Sequence, residues 1–198
     1  MIFREIVKFV SPKPRLNNSL RTLIMVNSGM MFVLGMFAPF YALFVQKIGG
    51  SAAFAGLSWG LFAITTGLLT LFFTRWGLKM NEPELLIALG YLIRGMVFLS
   101  YAFMSSVTQL IFTQVIWGLA AAIGAPAFDA VYAEHTDKDG ALSEWGRWEG
   151  IASITIGLAA IVGGIMIQSF GYQAIFIIMA FASFGLALYI WRLPREAL

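Results

Sequence analysis

Six long apolar runs fill most of this chain of 198 residues. Each run has about 18 to 25 residues, the length of an α-helix that crosses ~30 Å of hydrocarbon. Hydrophobic residues make up 60% of the chain and charged residues 12%, whereas a soluble domain carries about 25% charged residues. No soluble core of this size needs six such runs. The sequence therefore predicts an all-α membrane protein with six transmembrane helices.

The predicted spans are separated by short polar connections and together form one bundle over residues 20–192. We number the spans one to six: about 20–45, 52–74, 84–104, 107–133, 150–169 and 173–191. Residues 1–19 place apolar side chains at helical spacing, which predicts a short amphipathic helix in the membrane interface. A disordered leader is the alternative for this segment. Residues 193–198 are predicted to be a short cytoplasmic tail.

Lys and Arg residues are distributed unequally between the two sides of the predicted bundle. Eleven of the 13 fall in or next to the N-terminal segment, the second-to-third and fourth-to-fifth connections, and the tail, with Arg21 and Arg192 counted with the adjoining segments. Lys47 is on the opposite side, and Arg94 is within span three. Because cytoplasmic segments carry an excess of Lys and Arg, both termini are predicted to be cytoplasmic, in a multi-pass protein of the cell membrane. The bias argues against a chain that inserts in both orientations to form antiparallel dimers.

Residue types that many enzymes and metalloproteins need are scarce. The chain has no Cys, which excludes disulfides and thiolate chemistry. Its single histidine, His135, lies in the charged connection 134–149, so one chain cannot form a His-based metal cluster. Residues 137–140 (DKDG) lack the ligand spacing and the terminal Glu of a calcium loop, and no Gly-rich phosphate loop occurs. The sequence predicts no metal, no cofactor, no nucleic-acid partner and no enzymatic activity.

Two of the spans carry small residues along one helical face. The row on span two is Ala52, Gly56, Gly60, Ala63 and Gly67, and the row on span five is Gly150, Ser153, Gly157, Ala160 and Gly164. At 100° per residue, each row stays within an arc of roughly 80°. Such rows let membrane helices pack backbone to backbone. The pattern leaves open whether the rows pack within one bundle or against another.

Spans four to six resemble the major facilitator superfamily. The matching residues are Gly118, Gly124, Pro126, Glu134, Gly157, Gly163, Gly164, Gly171, Tyr172 and Phe176. The segment FFTRWGLKM after span two also resembles the signature loop of the family, with Arg75, Gly77 and Lys79 in place and Thr74 where Asp is usual. The resemblance covers about residues 20–192.

The resemblance implies a function in transport. Family members typically have twelve spans in two six-span bundles, with the substrate site between the bundles. This chain supplies one bundle, so the resemblance implies a half-size transporter that forms a parallel homodimer and moves a small solute by alternating access. Its expected partners are membrane lipid, the solute and a second copy. The alternatives are a non-transporting accessory subunit that pairs with another half, and a truncated half of a full-length transporter.

The family architecture also implies roles for particular residues. The helices equivalent to spans one and four line the cavity, and those equivalent to spans two and five meet the other half. The predicted substrate cavity is Asn27, Met31, Gln114 and Asp129. The predicted dimer interface is Gly56 and Gly60 of one protomer against Gly157, Ala160 and Gly164 of its partner. For Asn27 and Gln114, the sequence supports an interhelical hydrogen bond at least as well as it supports a contact with the solute.

Ionisable groups in or near the spans are expected to serve coupling or gating. The predicted set is Arg75, Arg94, Glu134, Arg147 and Glu149. Asp129 is the only acid well inside a span and the best candidate for proton coupling. Arg94 is a candidate partner of Asp129 because a long side chain can bridge much of a depth difference of roughly 10 Å. A hydrated rim, or a pair with Arg147 or Arg75, is the alternative for Asp129. Salt bridges such as Arg75 with Glu134 are expected to form in one state and to break in the other.

Overall fold

The computed structural model describes residues 17–75, 82–137 and 140–193. Its regular elements in these ranges are helices: α1 (Asn18–Gly35), a 3-10 turn (Ala38–Phe40), α2 (Tyr41–Lys47), α3 (Ala52–Arg75), α4 (Pro83–Ala102), α5 (Val107–Glu134) and α6 (Ala141–Arg192). Within the described ranges, 5 stretches are long and apolar enough to cross a membrane: Asn18–Lys47 and each of α3 to α6. These features fit an all-α membrane protein. The predicted interfacial segment up to residue 16 and the tail from residue 194 lie outside the described residues.

Helix α6 is too long for a single crossing. Its 52 residues would extend about 78 Å at 1.5 Å per residue, more than twice the hydrocarbon thickness. At Gly171 the backbone leaves the helical conformation, with φ of 78° and ψ of 176°, in a region that glycine adopts without steric cost. We call residues 141–170 the first part of α6 and residues 172–192 the second part. Predicted spans five and six each fall within one of these parts.

Span one is predicted as a continuous helix, but the structure breaks it. Helix α1 ends at Gly35, and the chain passes through the 3-10 turn before α2 begins at Tyr41. Pro39 lies in that turn, and proline has no N–H group for a helical hydrogen bond. The break packs tightly on the first part of α6, since a Cβ added to Gly163 would collide with the carbonyl oxygen of Met36. A glycine is therefore required at this close approach.

The bundle is organised around α4 and α6. Helix α4 packs against α5 and α6, α1 packs against α6, and α3 packs against α5. Helices α4 and α5 approach closely at two glycines, because a Cβ on Gly90 would lie 3.0 Å from the Cα of Gly124. An aromatic cluster then fills the end of the bundle where α2 meets the second part of α6. The ring of Phe176 lies 4.7 Å from that of Phe37 and 4.9 Å from that of Phe44.

Helix α3 is the least enclosed of the long helices. Only Ala55 and Ser58 are buried along its length. Every other described long helix buries at least eight residues. Because α3 packs mainly on α5, most of its circumference is open.

Candidate functional site

The polar residue Gln114 lies inside the bundle rather than on an open surface. It is fully buried, and its Nε2 donates a hydrogen bond to the hydroxyl of Tyr41. That hydroxyl lies 2.6 Å from the Oγ of Ser58, which in turn donates to the carbonyl of Ala55 at 3.1 Å. This chain of hydrogen bonds joins α5, α2 and α3. Gln114 therefore makes the interhelical hydrogen bond that its sequence position left open, while its Oε1 has no hydrogen-bond partner among the described residues.

Asn27 also makes an interhelical hydrogen bond. Its Oδ1 accepts from the hydroxyl of Tyr91 at 3.0 Å, which joins α1 to α4. Met31, one turn further along α1, is half-buried. A small cleft beside Asn27 and Tyr91 is bounded by Thr22 and Leu193 and holds about 10 Å³, room for about one water molecule.

Tyr91 is a residue that the sequence analysis missed. It lies one turn from Arg94 on α4, and residues three apart are neighbours on a helix face. The guanidinium carbon of Arg94 lies 5.8 Å from the centroid of the Tyr91 ring. That spacing alone could have identified the aromatic partner. The contact with Asn27, 64 positions away along the chain, becomes visible only in the folded bundle.

Arg94 and Asp129 form no ion pair in the described part of the chain. Gly90 contacts Gly124, which places these two positions at the same depth in antiparallel helices. Arg94 lies one turn beyond Gly90 in one direction, and Asp129 lies more than one turn beyond Gly124 in the other. The two groups are therefore separated by roughly 13 Å along the bundle axis at 1.5 Å per residue. Because this separation exceeds the reach of the arginine side chain, the structure does not bring the expected pair together. Asp129 is exposed.

The other charged residues of the predicted gate are at the surface. Arg75, Glu134 and Glu149 are exposed, and Arg147 is half-buried. No ion pair joins these four residues to one another, or any of them to Asp129, in the ranges that the structure describes. The predicted bridge between Arg75 and Glu134 is therefore not formed in this conformation.

Glu144 instead organises the connection between α5 and α6. It is 8% exposed, and its Oε2 accepts a hydrogen bond from the backbone N–H of Asp137 at 3.1 Å. Its backbone carbonyl accepts from the hydroxyl of Tyr132 at 2.8 Å. The ring of Trp145 packs 4.6 Å from that of Tyr132, and Trp148 is buried. Helix α6 consequently begins at Ala141, well before the predicted start of span five.

The small-residue rows of α3 and of the first part of α6 face outward. A Cβ added to Gly56, Gly60 or Gly67 would meet no atom within 4 Å. The same is true of Gly150 and Gly157. Over these positions neither row packs against the described residues of its own bundle.

The row on α6 turns toward its own chain at its far end. A Cβ on Gly164 would lie 3.0 Å from the Cζ atom of Phe40, and Ala160 is half-buried. The last position of the row therefore meets the 3-10 turn. This places Gly164, predicted at the dimer interface, in contact with its own chain.

A second open surface has a different character. A groove of about 600 Å³ between α4 and the second part of α6 is lined only by apolar residues. The lining residues are Leu85, Ala88, Leu89, Leu92, Phe184, Ala187, Leu188 and Trp191. None of the residues predicted for the substrate cavity is among them.

Comparison with known proteins gives the family. The family model of the Major Facilitator Superfamily matches residues 23–198. The chain is 29% identical over 149 residues to the uncharacterized MFS-type transporter YitZ of Bacillus subtilis (strain 168), across 74% of this chain and 89% of that protein. No solved structure matches significantly. Since the family model covers nearly every described helix, the protein belongs to the major facilitator superfamily.

Proposed function

We propose that this protein is a half-size transporter that pairs in parallel with a second copy to enclose a path for a small solute. Family membership supports transport as the class of function. The relative from Bacillus subtilis is named as a transporter of the same type. The observation that carries the pairing is the outward orientation of the two small-residue rows.

The bundle of the proposed transporter has six crossings. Residues 141–170 and 172–192 are each long enough to cross ~30 Å of hydrocarbon, and Gly171 separates them. An even number of crossings places both termini on the same side of the membrane. The uneven distribution of Lys and Arg supports the cytoplasmic side for both.

The open rows support a contact with a second bundle. An exposed glycine offers no side chain to surrounding lipid, whereas a row of glycines lets two helix backbones approach closely. Helix α3 buries only two residues in its own bundle, so it has most of its surface available. In a two-fold dimer, α3 of one protomer packs on the first part of α6 of its partner, and the contact occurs twice.

The size of the relative supports the half-size architecture. The aligned stretch makes up 89% of that protein and 74% of this chain, so the relative is shorter than this chain. A full pair of six-helix bundles does not fit in such a length, because each crossing needs about 20 residues.

Within the dimer we place the solute path beside α1 and α5 and next to α4, which carries the hydrogen-bond partner of Asn27. Its proposed lining is Asn27, Met31, Gln114 and Asp129, with exposed Asp129 as the proton-coupling residue. Arg75, Glu134, Arg147 and Glu149 form ion pairs in the alternate state and close the path on one side. Since exposed pairs contribute little to stability, they can form and break at small cost during alternating access.

Disulfide cross-linking tests the pairing directly, because the chain has no native cysteine. The double variant Gly56→Cys, Ala160→Cys is expected to form an intermolecular disulfide in native membranes, seen as a dimer on a non-reducing gel. The matched control is Leu92→Cys, Phe181→Cys on the other open surface, which is expected to remain monomeric. Absence of the dimer, or equal cross-linking of both variants, contradicts the proposal. A disulfide-independent complex with a different membrane protein would favour the accessory-subunit alternative.

A further inference from the structure

Arg94 is a buried charge with no counter-charge in the ranges 17–75, 82–137 and 140–193. It is 8% exposed, it lies in the second half of α4, and its Nε has no hydrogen-bond partner. The face of the Tyr91 ring lies 5.8 Å from its guanidinium carbon. A charged side chain at membrane depth is costly and normally pairs with another group. The arrangement therefore lacks a partner that the charge of Arg94 requires.

None of the acidic residues that the structure describes supplies that partner. Asp129 is the one acid well inside a span, and it lies roughly 13 Å from Arg94 along the bundle axis. Every other Asp or Glu lies in a connection, near a helix end or in a terminal segment of the sequence. A second copy of the chain brings the same set of acids at the same depths. An anion from outside the protein can therefore supply the counter-charge that the described residues do not.

We propose that this counter-charge is the anionic group of the transported solute, a carboxylate or a phosphate held by Arg94. The inference rests on the proposed transport function and specifies its substrate class. A guanidinium presents its N–H donors in a planar fork that matches both groups in a bidentate arrangement. The aromatic face of Tyr91 supports the guanidinium by a cation–π contact.

The neighbours of Arg94 indicate how the site opens. The hydrogen bond from Tyr91 to Asn27 is the one side-chain hydrogen bond between α1 and α4 in the described ranges. The cleft that reaches this hydrogen bond from Thr22 and Leu193 has room for about one water molecule in this conformation. Arg94 is not among the residues that line this cleft. Movement of α1 away from α4 breaks this hydrogen bond, and the hydroxyl of Tyr91 is then free to donate to the bound anion.

An untargeted uptake assay tests the proposal, because it identifies the solute as part of the measurement. Proteoliposomes containing the full chain are incubated with the soluble small-molecule extract of the source cells, and the trapped compounds are identified by mass spectrometry. Wild-type protein is expected to accumulate a compound that carries a carboxylate or a phosphate. Arg94→Gln is expected to reduce that accumulation roughly tenfold or more, and Arg94→Lys is expected to retain part of it. The matched control is Arg21→Gln, at an exposed arginine of α1, which is expected to transport normally.

Two further variants separate substrate recognition from a structural role. Asn27→Asp places a carboxylate beside Tyr91, where it can act as an internal counter-charge for Arg94. It is expected to raise the unfolding temperature and to lower uptake of the anion. Asp129→Asn is expected to leave the preference for anionic compounds unchanged, even where it slows uptake.

The outcomes distinguish this inference from the proposed function. Accumulation of neutral or cationic compounds alone, or equal uptake by folded Arg94→Gln, overturns the anion inference and leaves transport intact. Restoration of uptake in the double variant Arg94→Gln, Asp129→Asn also overturns it, because Asp129 would then be the counter-charge. If wild-type protein accumulates nothing, the proposed transport function fails, and the inference fails with it.

Discussion

Both open surfaces of this bundle expose bulky side chains, such as Leu68 on α3 (64% exposed), but they differ in that only one of them carries rows of open glycines. On α3 and the first part of α6, glycines such as Gly56 and Gly157 have empty space around them. On α4 and the second part of α6, the exposed residues are bulky, as at Met96 (47% exposed) and Phe181 (67% exposed). Both surfaces are apolar, so hydropathy does not separate them. Bulky side chains suit contact with lipid tails, whereas small residues suit contact with another helix.

A comparison within the first part of α6 sharpens this difference. Gly163 faces inward against the carbonyl of Met36, and Gly157, less than two turns away, faces open space. The same residue type therefore serves two purposes on one helix. At Gly163 it permits close packing within the bundle, and at Gly157 it leaves a surface free for a partner.

The largest effect is expected from Gly163→Leu. The new side chain would collide with the α1 break, and overpacking of this kind costs roughly 3 kcal/mol. Thermal unfolding in detergent should show a clear decrease in stability. Gly157→Leu is the matched control and should unfold like the wild type. Equal losses in both variants would show that Gly157 is also packed.

The next largest effect is expected from the double variant Gly56→Leu, Gly60→Leu. It should fold normally, because neither added side chain meets its own bundle. It should lower the dimer fraction more than tenfold, since the helices can no longer approach closely. Mass measurement in detergent or in native nanodiscs checks this. The control variant Leu92→Phe, on the surface of α4 and the second part of α6, should leave the dimer fraction unchanged. If the dimer fraction is also unchanged by the glycine substitutions, the two surfaces do not differ in their role.

A smaller effect, on transport alone, is expected from Asp129→Asn. Asp129 is on α5, the helix against which α3 packs, and the side chain of Asp129 is exposed. Loss of a coupling carboxylate should reduce proton-driven uptake in proteoliposomes roughly tenfold without changing the dimer fraction. Uptake by each protein should be measured with and without an imposed pH gradient, because an asparagine side chain cannot carry the proton. Uptake that keeps its dependence on the gradient would exclude Asp129 as the coupling residue.

The smallest effect is expected from Tyr41→Phe. The hydroxyl of Tyr41 links Gln114 on α5 to Ser58 on α3, and an interhelical hydrogen bond in a membrane contributes about 1 kcal/mol. Chemical or thermal unfolding should register that loss. Ser58→Ala should cost a similar amount, and the double variant should cost less than both together, because the residues share one network. Full additivity would show that the network does not hold α3 to the bundle.

The all-α membrane class of the fold depends on local information, and the sequence predicted it. The long apolar runs, the small-residue rows and the turn at Gly171 each depend on residues close together in the chain. Span one is the exception in the fold, because Pro39 lies in its final third and the chain breaks there rather than continuing. The site was predicted less completely. Tyr91 was not identified, and Arg94 was expected beside Asp129.

The sequence by itself determined that this is an all-α membrane protein and carried the resemblance to its family, because hydropathy and residue spacing act over one or two turns of helix. The tertiary structure decided which glycines lie inside and which outside, and it left Arg94 without an acidic partner in the part of the chain that it describes. Those outcomes depend on the rotation and depth of each helix relative to the others. The interhelical hydrogen bonds that depend on these rotations and depths join residues 64 and 73 positions apart in the sequence. Local periodicity carries no information over such a separation.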